Sequence, residues 1–218
     1  MTETRFINRE LSLLDFQERV LSLAESGDRP LLERVRFVAI VSGNLDEFYQ
    51  VRVAGLFEQA AGGITQASPD GMSPQQQLAA IREQVISINA SIDSLVTKEL
   101  IPALAEEKIE IVAYDTLEAS DRDHIDFVFE TEIFPVLTPL AVDPSHPFPF
   151  ISDLSLNLAV LLRDPDRDEV QFARVKIPRN VARFIALEDG DRFVPLEQVV
   201  GQHMGRLFGG LDVIDHYT

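Results

Sequence analysis

The sequence contains no cysteine, almost no lysine and no long apolar run, and each shortage excludes something. Without cysteine there is no disulfide framework, no thiolate nucleophile and no cysteine-ligated zinc, which fits a reducing compartment. Lysine occurs only as Lys98, Lys108 and Lys176, against sixteen arginines, so the positive contacts of this chain are mostly guanidinium contacts, suited to bidentate carboxylate or phosphate recognition. The longest apolar stretches, such as LAVLL at 158–162, fall far short of the roughly 20 residues that a membrane-crossing helix needs. The opening MTETRFINRE lacks the apolar stretch of a signal peptide, so the expected location is the cytoplasm. Basic residues are outnumbered overall. A net charge of -17 argues against a nucleic-acid partner, because such affinity comes from Lys and Arg displacing counterions from phosphates.

What is present reads as an α+β chain of two parts, residues 1–106 helical and 107–218 mixed. Residues 8–26 set Leu11, Leu14, Phe16, Val20, Leu21 and Leu23 on one broad stripe at helical spacing, and Gly27-Asp28 closes that helix. A second helix is expected over 30–41 and a third over 45–60, followed by a Gly-, Pro- and Ser-rich loop over 61–74. From 74 to 106, Leu78, Ile81, Val85, Ile88, Ile92 and Leu95 recur every three or four residues, completing a helical bundle. Beyond it the spacing predicts a strand over 109–114 and a helix over 120–134. Four prolines make 137–150 an ordered loop. Two hairpins follow, 154–178 turning at PDRD and 183–196 turning at Asp189-Gly190, so the second part carries a mostly antiparallel sheet. A short helix near 196–207 and a strand pattern in LDVIDHYT complete it.

VSGNLDEFYQVRV, at 41–53, places polar residues inside the most apolar helical stretch. One reading is a helix–break–helix joint. Ser42-Gly43 stops one helix, Asn44 caps the next, and Glu47 reaches back as a capping-box carboxylate. The other reading makes the Asn44 amide, which both donates and accepts, a contact for a purine edge, with Arg34, Arg36 and Arg52 nearby. Other motifs are weaker. There is no phosphate-binding GxxxxGK[ST], and GGI and FGGLD are isolated glycine pairs. His124, His146, His203 and His216 show no metal-binding spacing; His146, in DPSHPFPF, reads as a loop histidine. Glu10, Asp15 and Glu18 are expected on a solvated face with Arg9 and Arg19.

FINRELSLLDFQERVLSLA, PLLERVRFVAIVSGNLDEFYQVRVAGL and LTPLAVDPSHPFPFISDLSLNLAVLL resemble the N-terminal region of bacterial polyphosphate kinases of the histidine-phosphorylating class. RVKIP and RFIALEDGDRFVPLEQVVGQHMGRLFGG continue the resemblance in order. Leu13 stands where the family usually shows Trp, read here as a loss of core volume. The resemblance implies an N-terminal helical domain (1–106) and a head domain (107–218, truncated), with the catalytic domains absent. It implies an enzyme that reversibly moves the terminal phosphate of ATP onto polyphosphate through a phosphohistidine, with ATP/ADP and Mg²⁺ as cofactors of the intact protein. The phosphorylated histidine and the magnesium ligands match no motif here, so no catalytic residue and no metal ligand is assigned, and no tightly bound cofactor is expected. The one residue carried over is Asn44, the Asn of NLDEF, as an ATP contact near the adenine. The implied partners are the catalytic domains, ATP, polyphosphate and further copies of the chain as a homo-oligomer, with peripheral membrane association open to the intact enzyme. The 218 residues alone are expected to be inactive. A purely structural, oligomerising module is the competing reading.

Overall fold

The computed structural model describes residues 6–142, 148–166 and 169–218. The chain divides into two compact units, Met1–Glu106 and Glu107–Thr218.

In the first unit, α1 (Arg9–Glu25) packs against both α2 (Leu31–Phe48) and α4 (Pro74–Leu95), while α3 (Ala54–Ala61) packs on α4. Their shared core includes Leu14, Leu21, Val41, Phe48, Ile81 and Ile88. The ends are capped by side chains that the apolar pattern did not single out. Asn8 Oδ1 accepts from the Glu10 and Leu11 amides, and Ser73 with Gln76 forms a reciprocal capping box at α4, where Pro74 fills the first turn. The stripe expected on α1 needs correction. Leu14, Gln17, Leu21 and Ala24 are buried, whereas Phe16 faces outward.

The predicted break at Ser42-Gly43 does not exist. α2 runs unbroken from Leu31 to Phe48, and Asn44 lies in its interior rather than at a cap. The reason is periodicity. Val38, Val41, Leu45 and Phe48 are buried at spacings of three, four and three, so the core stripe crosses the polar segment without losing phase. Gly43 weakens the helix by about 1 kcal/mol at most, less than the burial on either side supplies. Ser42, Gly43, Asp46 and Glu47 fall on the exposed side.

Helical winding instead widens to π turns at Tyr49–Val53, Val96–Leu100 and Phe129–Ile133. The second and third end two residues before Pro102 and Pro135, where the missing N–H and the ring's clash with the carbonyl four residues back disrupt α-helical bonding. The first has no proline after it until Pro69. After the second π turn, α5 (Ile101–Glu106) ends the unit, and Lys108 takes a left-handed conformation at φ 61°.

The second unit is built on an antiparallel sheet in the order β2 (Pro139–Val142), β4 (Glu169–Lys176), β3 (Asn157–Asp164), β7 (Asp212–Tyr217). β2 corrects the expectation of a loop over 137–150: Pro139 begins an edge strand, where the missing N–H costs no ladder bond. A smaller sheet orders β1 (Glu110–Ile111), β6 (Arg192–Pro195) and β5 (Phe184–Ala186), with β1 parallel to β6. The β5–β6 turn falls where Asp189-Gly190 placed it, Gly190 taking φ 74°. Apolar faces of α6 (Ala119–Val128), α7 (Leu196–Gln202) and the larger sheet meet around Ile125, Phe129, Val160, Val175 and Val199. Arg192 ties β6 to α6 through a two-pronged pair with Asp121, at 2.7 and 3.0 Å, while also bonding Asp189. A short turn of helix, α8 (Met204–Leu207), precedes β7.

Candidate functional site

On the first unit, the C-terminal part of α2, its π turn and the outward side of α1 enclose an open depression of about 320 Å³. Leu13, Phe16 and Gln17 come from α1, and Asn44, Glu47 and Phe48 from α2. Val51 and Arg52, in the π turn, close its edge and also line a second hollow of about 560 Å³ bounded by Asn8, Glu10, Gly55 and Asp70. The widened turn is what sets Val51 and Arg52 on the wall common to both. π turns of this kind recur at functional sites, and this one has no proline to account for it.

Asn44 is half-buried, and its Nδ2 donates to Gln17 Oε1 at 2.9 Å. Gln17 is only 4% exposed, in the middle of α1. Among the described residues, Asn44 Oδ1 has no hydrogen-bond partner and is not sealed from solvent, so the carbonyl and one N–H remain for a ligand. Arg52 is exposed and, among the described residues, without an ion-pair partner. Leu13 is 36% exposed on the wall of the depression, so its departure from the family's Trp changes the site's lining rather than the core.

The neighbouring hollow is organised by Asn8. Its carbonyl caps α1, while its amide donates to Asp70 Oδ2 at 3.1 Å and to Gln77 Oε1 at 3.0 Å. The Ser68 hydroxyl, and then the Asn8 amide, hold the Asp70 carboxyl below the usual carboxylate range against the opposing effect of burial. Glu10 was expected on the solvated face and is not there. It is 5% exposed, with Arg9 donating to its Oε1 at 3.0 and 2.7 Å. Asp15 and Glu18 do face solvent, where both accept from Gln84 Nε2.

The structure brings Asn44 and Arg52 to one wall, whereas Arg34 is engaged elsewhere, with Ala24 O at 2.6 Å and Glu99 at 2.7 Å. Arg36 pairs with Glu33 along its own helix. Gln17 and Asn8 were missed by sequence reasoning. Asn8 carried a signal, a favoured cap residue just before an apolar helix, while Gln17 carried none until its partner was known. Of the histidines, His203 stacks on Phe129 at 4.0 Å and contacts Asp126 Oδ1 at 2.9 Å, and His124 contacts Ala186 O at 3.2 Å. His216 lies against Gly201, so close that a Cβ there would meet its ring at 2.5 Å. These are packing roles, and His146 lies outside the described residues. Among the described residues no cluster of three acidic or imidazole side chains is set to hold a metal, and no helix is long and apolar enough to cross a membrane.

A helical unit that carries a half-buried asparagine amide beside an open depression, followed in sequence by an α+β unit on an antiparallel sheet, defines the class by its architecture. The polyphosphate kinase N-terminal domain matches residues 6–112, and the polyphosphate kinase middle domain matches residues 120–218. The chain belongs to the polyphosphate kinase family. It is 46% identical to a polyphosphate kinase of Mycobacterium avium over 229 residues and 44% identical to that of Mycobacterium ulcerans over 228. In both cases all of this chain is covered, and 31% of the relative. The crystal structure of polyphosphate kinase from Porphyromonas gingivalis superposes with a TM-score of 0.82 at 30% identity, covering 99% of this chain and 32% of that one. The chain thus spans about a third of the length of the relatives it matches.

Proposed function

We propose that this chain supplies the adenine-side wall of an ATP–polyphosphate phosphotransferase, with Asn44 contacting the nucleotide. The observation that carries the reading is the Asn44 amide, held by one N–H in the wall of the 320 Å³ depression with its carbonyl still open. An amide so placed can accept from the exocyclic amine of adenine through Oδ1 and donate to a ring nitrogen through its second N–H. Leu13, Phe16 and Val51 offer apolar surface on which a purine ring can rest. The reaction is the reversible transfer of the ATP terminal phosphate to polyphosphate through a phosphohistidine carried outside the matched segment, working in the cytoplasm where ATP is held.

Phosphoryl transfer depends on concentrated positive charge from Arg, Lys and Mg²⁺. With a net charge of -17, this chain serves recognition and architecture, and isolated it does not transfer phosphate. Magnesium, in this reading, is bound with the phosphates and not by the residues described here.

The test is an ATP titration of the isotope-labelled 218-residue chain followed by NMR. We expect saturable shifts at millimolar ATP, centred on Asn44, Gln17 and Val51 and abolished by Asn44→Ala. Shifts that are absent, or that survive in Asn44→Ala, would overturn the assignment.

A further inference from the structure

We infer that Arg52 is a phosphate-binding residue, which holds the phosphates of the nucleotide whose base meets Asn44. The inference rests on the nucleotide reading of Asn44 and deepens it. In a regular α-helix each residue turns by about 100°, so one placed eight positions after Asn44 points about 80° away from it. The chain departs from that winding at this point: Tyr49–Val53 forms a π turn, in which each residue turns by less. The shortfall swings Arg52 back toward the Asn44 side, and both line the 320 Å³ depression. At 1.5 Å per residue the two lie about 12 Å apart along the axis, and helical side chains lean toward the N-terminus, which shortens the gap. A base at one and phosphates at the other fit the span of a single nucleotide.

Charge points to the same ligand. The chain carries a net charge of -17, with 36 acidic residues against 19 Lys and Arg. Other arginines of the first unit have partners: Arg9 pairs with Glu10, Arg34 with Glu99 and Arg36 with Glu33. Arg19 and Arg29 lie over the rings of Phe16 and Phe37. Arg52 has no such partner among the described residues, and neither does Arg82, which lines neither hollow. Glu47 stands on the same depression without pairing to Arg52. In the adjoining 560 Å³ hollow, Glu10 is held by Arg9, and Asp70 by Ser68 and Asn8. Among the described residues, Arg52 is therefore the one uncommitted cation where the two hollows meet. Bringing a polyanion to so acidic a chain takes a local positive group, and a guanidinium offers two parallel donors to phosphate oxygens.

The experiment titrates the 218-residue chain with adenosine, AMP, ATP and inorganic tripolyphosphate in magnesium-free buffer, following the Asn44 amide and Arg52 Nε signals by NMR. Wild type is compared with Arg52→Gln and Arg52→Lys. Arg52 is exposed, so both variants should keep wild-type helix content by circular dichroism, and Arg52→Lys carries the comparison if Arg52→Gln does not. We expect affinity to rise from adenosine through AMP to ATP in wild type. In Arg52→Gln, ATP affinity falls about three- to tenfold, the range for one solvent-exposed charge-assisted contact, while adenosine affinity is unchanged. Arg52→Lys keeps the charge without the fork and falls between the two. Raising salt from about 0.05 M to about 0.3 M weakens ATP binding more in wild type than in Arg52→Gln, a difference that a purely structural role would not produce.

Equal ATP affinity in wild type and Arg52→Gln would overturn the assignment. So would an equal loss for adenosine and ATP, which marks damage to the wall rather than a lost phosphate contact. Tripolyphosphate should bind weakly and leave the Asn44 signal in place. If it bound at Arg52 as tightly as ATP, the phosphate would belong to the polyphosphate chain, and the assignment to the nucleotide would fall. Adenosine binding at Asn44 with no gain from added phosphates overturns this inference alone, whereas no shift with any nucleotide overturns the reading of Asn44 as well.

Discussion

Replacing Asn8 by alanine tests how the first unit is held together, because one side chain there serves three elements. Its carbonyl satisfies the Glu10 and Leu11 amides at the start of α1. Its amide reaches Gln77 in the first turns of α4 and Asp70 in the preceding loop, 69 and 62 residues away. Loss of the cap costs about 1 kcal/mol. Gln77, itself buried, then has a carbonyl without its donor, a further cost of about 1–3 kcal/mol. Asp70 keeps the Ser68 hydroxyl and adds little. The sum, roughly 2–4 kcal/mol, corresponds to a fall in urea midpoint of roughly 1–3 M for a unit of this size. Urea unfolding followed by far-ultraviolet circular dichroism measures the shift, and hydrogen exchange at the Glu10 and Leu11 amides reports the cap locally. Asn8→Asp separates the two contributions: it keeps the cap oxygen but loses both amide donors and sets a second carboxylate beside Asp70. Its penalty should therefore shrink on acidification. If Asn8→Ala moved the midpoint by less than about 0.3 M, an effect the size of an ordinary surface substitution, the long-range role of Asn8 would be refuted.

Gly43→Ala should stabilise the chain by about 0.5–1 kcal/mol, because Gly43 lies inside a continuous helix and a Cβ there meets nothing within 4 Å. A loss of thermal stability in that variant would instead support a break at Ser42-Gly43. Asp70 titrates below the usual carboxylate range when folded, so it binds fewer protons in the folded than in the unfolded chain. Its contribution is present above the unfolded value near pH ~3.9 and is lost as pH falls through the lower folded value. Urea midpoints compared between neutral pH and about pH 3 should drop less in Asp70→Asn than in wild type, and an equal drop would remove Asp70 from the acid response.

Much of the architecture follows from local pattern. The helical stripes of the first part, the turn at Asp189-Gly190 and the change of character near residue 107 rest on periods of 3.6 and 2 and on turn chemistry. These act over a few residues and are visible in one dimension. The motif NLDEF likewise singled out Asn44 as a candidate before any coordinates. The errors arose where a local preference competed with packing. Ser42-Gly43-Asn44 has the composition of a helix boundary, yet the buried positions on either side keep phase, and a contiguous core stripe outweighs about 1 kcal/mol of unfavourable propensity. Pro139 suggested a loop, and only the existence of β4 beside it made an edge strand available.

Polar residues in the stripe show the same limit from the other side. Glu10, Gln17 and Gln77 look like solvated surface in the sequence, and their burial depends on partners that folding brings near. The sequence by itself determined the two-part α+β organisation, the family and the candidate Asn44, since these need only local spacing and long ordered motifs. Tertiary structure alone decided that Asn44 is mid-helix, that Gln17 holds it, that the π turn carries Arg52 to the same wall, and that Asn8 joins α1 to α4. Hydrogen-bond partners tens of residues apart meet through the packing of whole helices, and no short stretch of chain encodes that distance.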